Sequence, residues 1–229
     1  MCGRGARDPN NRDLTLEERD LILEDDYRLY GSYNIAPTQD VPILVTVGKV
    51  EMAKWWLIPS YSAEYKVGQY SMFNKKSEEL DKPYWAGLLK NKRCVIPFTG
   101  FIEWQKLDKT TKIPYYIYPC EDALFWMAGL YDDWVNKETG EVKRSFTILT
   151  MEPNGFIKEI HTRMPVFLDP KAGAVQKWLF PGFSDPKSLI TTFPSDRMTK
   201  RRIGNDIGKA ANNYPSLLDQ VDDSPTTLF

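Results

Sequence analysis

Residues 93–104 read RCVIPFTGFIEW, and this stretch decides the fold class. It is short and dense in β-branched and aromatic residues, the composition of a buried strand. Runs of the same kind lie on either side: VPILVTV (41–47), AKWWLIP (53–59), IPYYIYP (113–119), ALFWMAGLYDDWV (123–135) and SFTILT (145–150). Each is bounded by Pro, Gly, Asp or Lys. NKETG at 136–140 reads as a hairpin turn between two of them. Ahead of the strands, LTLEERDLILEDDYRLY (14–30) spaces Leu14, Leu21, Ile22 and Leu29 as an amphipathic helix, with Thr15 and Glu18 as a capping box. Residues 80–91 and 171–179 read as short surface helices. No βαβ alternation, repeat or linker is visible. The expectation is one α+β domain over 1–229, a mainly antiparallel, barrel-like β-sheet with a few peripheral helices. The chain after about residue 196 is expected to be a loop, ending in a flexible tail at 220–229.

The chain has 229 residues, 42% hydrophobic and 27% charged, ordinary for a soluble globular protein. No apolar run reaches the roughly 18–20 residues that cross a bilayer. MCGRGARDPNNRDL has no apolar core of a secretory signal, so the expected location is the cytoplasm, with no membrane partner. Cys2, Cys94 and Cys120 are too few and odd in number for a disulfide framework. One histidine and no CxxC pair argue against a metal site, and no cofactor motif is present. A net charge of −1 argues against bulk electrostatic attraction to nucleic acid. Any such binding needs a local basic patch and stacking aromatics. A monomer is the default.

Four residues stand out for chemistry. Removal of Met1 would leave Cys2 as a 1,2-aminothiol, with α-amine and thiol pKa values of about 7.7–8.0 and 8.5. The amine can attack an aldehyde to give an imine, and the thiol can then close on the imine carbon as a thiazolidine. An internal cysteine cannot do this, because its nitrogen is an amide. The alternative is an incidental residue in a frayed terminus. Glu103 shares one strand face with Phe101, while Ile102 and Trp104 share the other. It is either a proton shuttle with a raised pKa or a solvated acid on an open sheet face. His161, in EIHTRMPVFL, is catalytic or structural. Asn74, in MFNKKSEE, could hydrogen-bond a sugar or the terminal amine, or simply cap a turn.

Eight blocks occur in one order: MCGR at the N-terminus, YNIAPTQ (33–39), WWLIPS (55–60), FNKKSEE (73–79), PFTGFIEW (97–104), MAGLYDDW (127–134), TILTMEPN (147–154) and IHTRMPV (160–166). This set resembles the SOS-response-associated peptidase (SRAP) family, whose members crosslink to abasic sites in single-stranded DNA. The resemblance implies that Cys2 is the nucleophile and Asn74 orients the amine or the sugar. It also implies that Glu103 is the general acid/base and His161 a proton donor that helps hold the site together. Arg4, Trp56 and Thr150 match positions lining the family's DNA groove. Lys76 stands where the family has arginine in Asn-Ala-Arg-Ser-Glu, keeping the charge but losing the bidentate fork. FPSDRMTKRRIGND (193–206) follows the family's C-terminal pattern only loosely.

The implied partner is single-stranded DNA containing an abasic site. The implied activity is suicide-type crosslinking, with lyase or autoproteolytic peptidase activity beside it. The competing reading is a self-processing thiol peptidase using Cys2 and His161, with Asn74 or Glu103 as orienter. A third is a non-catalytic single-strand-binding module.

Overall fold

The computed structural model describes residues 2–11, 13–22 and 31–221. The opening stretch proves to be two strands. Arg93–Phe98 (β6) belongs to one sheet and Gly100–Lys106 (β7) to another, with Thr99 at the corner. The Thr99 hydroxyl donates to the Ala6 carbonyl at 3.0 Å and accepts from the Asp8 N–H at 3.1 Å and the Tyr116 hydroxyl at 3.0 Å. A Cβ on Gly100 would lie 2.5 Å from the Ile117 carbonyl oxygen, so only glycine lets the chain turn there.

The larger sheet closes on itself. Asp40–Thr46 (β3) and Lys49–Trp55 (β4) form a hairpin through Gly48, at φ +74°. Strand β6 pairs with β3 and with Phe125–Val135 (β9), and β9 pairs with Val142–Met151 (β10). Parallel pairing of β10 with β4 completes a five-stranded ring. The 136–140 turn is as read from the sequence: Asn136 Oδ1 accepts from the Glu138 and Thr139 N–H groups, and Gly140 sits at φ +73°.

Alternation along these strands separates two apolar layers. Ile43, Trp55, Cys94, Ile96, Met127, Phe146 and Ile148 fill the ring. Leu44, Val95, Trp126, Ala128, Leu130 and Leu149 point outward, under the helices Pro83–Asn91 and Ala174–Leu179. Burial on both faces explains why the strand runs are apolar almost throughout, each large side chain contributing about 1.5–3 kcal/mol. The two helices turn Trp85, Leu88, Leu89, Val175 and Trp178 onto the barrel.

The second sheet runs in the order β12-β8-β7-β1-β2. It comprises Gly5–Arg7 (β1), Ser32–Ile35 (β2), β7, Lys112–Pro119 (β8) and Met198–Arg202 (β12). Phe101 and Ile117 join the ring's interior cluster, while Ala6, Ile102 and Tyr116 form a third cluster with Ile203, Ile207 and Leu217. Two short strands, Asn74–Lys76 (β5) and Met164–Pro165 (β11), lie along β10.

The expected α+β, barrel-like, mainly antiparallel fold in a single domain is what forms. Two local expectations need correction. Residues beyond 196 are not a loose loop: β12 pairs with β8 over five residues, and Asn34 donates to the carbonyls of Ile207, Lys209 and Asn212. The first helix covers Leu16–Arg19, with the Thr15–Glu18 capping box formed as expected. Residues 23–30, which include Leu29, and most of the 220–229 tail lie outside the described residues.

Candidate active site around Cys2

The N-terminal segment runs antiparallel beside β7, with Gly5 opposite Phe101 and the Arg4 carbonyl accepting from the Ile102 N–H at 3.0 Å. Counted back along that register, Gly3 falls opposite Glu103. A Cβ on Gly5 would meet the Phe98 ring at 2.3 Å, so glycine lets the segment lie flat against the barrel mouth. Cys2 is thereby buried, 1% exposed, among Phe98, Phe101 and the other interior residues. The frayed-terminus reading of Cys2 does not describe this segment.

Asn74 sits on β5, where parallel pairing with β10 sets it opposite Ile148. Its Nδ2 donates to the Cys2 carbonyl at 2.7 Å. Its Oδ1, also buried, has no partner among the described residues. Glu103 is 4% exposed, which removes the solvated-acid reading. As expected, it and Phe101 lie on one face of β7 while Ile102 and Trp104 pack on the other. Burial raises the Glu103 carboxyl to about 7, outweighing the lowering by the positive chain terminus and the Trp104 N–H. Burial likewise raises the Cys2 thiol well above its ordinary range, and the Glu103 charge raises it further.

His161 follows the helix Gly155–Lys158, capped by Asn154 Oδ1 on the Ile157 N–H at 2.9 Å. His161 Nδ1 lies 3.1 Å from the Arg163 N–H and 3.2 Å from the Arg163 carbonyl oxygen, so the Arg163 backbone holds the ring through that nitrogen. Burial lowers the His161 pKa, with the chain terminus and Lys106 as further cationic causes, so the ring is neutral near pH 7. The terminus thus acts on Glu103, Cys2 and His161 alike. The Asn74 amide and the Glu103 charge both act on Cys2.

The four groove candidates divide. Lys76 and Thr150 are register partners on β5 and β10, and Trp56 packs on Phe73, the residue before Asn74, at 5.5 Å. These three are therefore neighbours of the Asn74 side of the site. Arg4 is on the other face of the second sheet, where its Nη2 donates to the Gly208 carbonyl at 3.2 Å. The sequence reading passed over Arg163. Its guanidinium grips both Glu78 oxygens at 2.7 and 2.8 Å and donates to the Thr150 carbonyl at 2.6 Å, while its backbone orients His161. Its place two residues after His161, inside a block already singled out, was the available signal.

A cavity of about 500 Å³ between Leu80, Ala86, Leu89, Pro181 and Phe183 contains none of these residues. Among the described residues no group of His, Cys, Asp and Glu could hold a metal ion. No helix there is long and apolar enough to cross a membrane.

A buried cysteine at position 2, a carboxyl pushed up to about 7, an imidazole and an amide clamp make an arrangement chemically suited to acid–base-assisted nucleophilic attack. The sequence profile described as SOS response associated peptidase (SRAP) matches residues 1–210, and the chain belongs to that family. It is 34% identical to abasic site processing protein YoqW of Bacillus subtilis (strain 168), over 96% of this chain and 99% of that one. It is 37% identical to abasic site processing protein YoaM of the same organism, over 82% and 84%. A crystal structure of a protein from Bacteroides thetaiotaomicron, 26% identical, superposes with a TM-score of 0.79 over 96% of this chain and all of that one.

Proposed function

We propose that this protein processes abasic sites in single-stranded DNA by capturing them covalently through Cys2, once Met1 has been removed. The observation that carries this reading is the burial of Cys2 beside Glu103, with its carbonyl held by Asn74. The freed α-amine adds to the C1′ aldehyde of the ring-opened deoxyribose, and water leaves to give an imine. The Cys2 thiol then adds to the imine carbon, its proton passing to nitrogen, and a thiazolidine results. Glu103, titrating at about 7, is suited to give a proton to the departing oxygen and to take one from the thiol. Such a group contributes about 10²–10⁴-fold. His161 is a second proton donor, and the Asn74 amide fixes the attacking residue.

The self-processing thiol peptidase remains the second reading, suggested by the family's name. Nucleophilic thiols of peptidases have a lowered pKa, whereas burial and Glu103 push the Cys2 thiol up. That favours attack by the amine first. Lyase chemistry would follow from the same imine.

Trp56 is proposed to stack on a base beside the lesion, worth about 1–3 kcal/mol, with Lys76 and Thr150 along the same strand path and Arg4 as a phosphate contact on the far side. Single-strand affinity should then vary with salt at about −0.7 per phosphate contacted. Lys76→Ala and Arg4→Ala should each flatten the slope by somewhat less than one unit, and Lys76→Arg should retain it. Fluorescence anisotropy across a salt series measures this. Unchanged slopes in both alanine variants would move the DNA to another surface. Intact-mass analysis after mixing the protein with a uracil oligonucleotide and uracil glycosylase tests the function itself. A covalent mass gain is expected, and its absence would refute the proposal.

A further inference from the structure

Strands β7 and β8 run beyond the site into a hairpin whose tip is cationic. Lys106 and Lys112 are direct register partners, Lys109 lies in the turn between them, and all three are exposed. None has an ion-pair partner among the described residues. The one acid of the tip, Asp108, is engaged by its own turn, accepting from the Thr110 and Thr111 N–H groups, each at 2.7 Å. Three lysines and one aspartate leave the tip with two net positive charges, in a chain whose total is −1. Like charges directly opposite each other on a ladder cost stability. An approaching polyanion turns that cost into attraction.

The tip continues the strand that carries Glu103, on the face of the sheet where Arg4 lies. Lys106 is three residues beyond Glu103 on the same strand, so at about 3.3 Å per residue it stands roughly 10 Å from it, with Lys109 further out in the turn. The charge of Lys106 is felt at His161. Along β7 the face that carries Ile102 and Trp104, and across from them Arg4, continues to Lys106.

We propose that the 106–112 hairpin tip is a second anchoring surface for the DNA backbone, holding phosphates away from the lesion on the side opposite Trp56 and Lys76. This rests on the reading of DNA as the substrate.

The test compares wild type with Lys106→Ala/Lys109→Ala/Lys112→Ala and with the triple arginine variant, using undamaged single-stranded 21-mers and 5-mers of one composition. Anisotropy is read from 50 to 200 mM salt, and thermal melts confirm the fold. The alanine variant is expected to lose about two units of salt slope on the 21-mer, so its affinity falls about 16-fold less over that range. It should also gain less than wild type in going from the 5-mer to the 21-mer, and the arginine variant should behave as wild type. Equal slopes and equal length dependence in the alanine variant and wild type would overturn the proposal and leave the tip facing some other partner. Because the DNA carries no lesion, this result is separable from the chemistry. Hairpin-dependent binding without any adduct on abasic DNA would keep the anchor and refute the capture mechanism, and the reverse pattern would do the opposite.

Discussion

A Cys2→Ala protein is expected to form no heat-stable adduct with abasic single-stranded DNA while binding undamaged single strands as wild type does. The thiol makes the bond that closes the ring. Without it the amine can give only an imine, which water reverses. Cys2 is buried in the interior cluster, so losing its sulfur costs some packing, about 1–2 kcal/mol, a size that leaves a domain of this length folded. Denaturing gels run after heating read the adduct, and anisotropy reads the binding. A gel-shifted, heat-stable species from Cys2→Ala would sink the thiazolidine. Loss of non-covalent binding together with the adduct would instead mark Cys2 as a structural residue.

The second large effect is expected at Glu103, and it carries two signs. Glu103→Gln should slow adduct formation by about 10²-fold or more. The wild-type rate should fall as pH rises through about 7, where the buried carboxyl loses the proton it donates, and this limb should vanish in the variant. The same substitution should move stability the other way. A folded pKa of about 7 against an ordinary value of 4.5 means that the carboxyl's contribution is fully present below pH 4.5 and lost as pH rises through 7. At about 1.4 kcal/mol per unit, ionised Glu103 costs the fold roughly 3 kcal/mol at pH 8. Glu103→Gln removes that cost and should raise Tm by about 5–10 °C at pH 8, with little change at pH 4.5. A variant that is slower and no more stable at pH 8 would place Glu103 in a solvated setting and remove the basis for its proton role.

The strands were legible because the barrel buries both of their faces, which leaves unbroken apolar runs such as 93–98 and 123–135. The corner at Thr99–Gly100 was not, because two strands from different sheets share one continuous apolar string there. The basic stretch Lys200-Arg201-Arg202 read as loop. In the fold Arg201 lies over the Tyr116 and Tyr118 rings and Lys200 over Tyr115 and Phe156, so the strand hides its charge against aromatics. Strands β1, β5 and β11 have two or three residues each, too few for any period to show. For the site, residue types could be singled out but not brought together. Cys2 meets Glu103 only through pairing of segments about a hundred positions apart, and Asn74 reaches Cys2 only because β5 lies on β10. Gly5 carries none of the chemistry, yet its missing Cβ admits the terminus to the barrel mouth. Local sequence contains no trace of that fit.

The central claim is that the α-amine of Cys2 is itself a reactant, and a matched pair of proteins tests it most directly. One carries a short tag before Cys2, and the other carries the same tag after Phe229. An extension before Cys2 turns the amine into an amide, whose delocalised lone pair does not attack an aldehyde. The thiol alone then gives only a hemithioacetal, which falls apart. Adduct yield on an abasic oligonucleotide, read by intact mass after heating, is expected to be near complete for the C-terminal tag and at background for the N-terminal tag, with undamaged single strands bound by both. Equal yields of heat-stable adduct from the two proteins would contradict amine participation, and a thiol-only or peptidase mechanism would take its place.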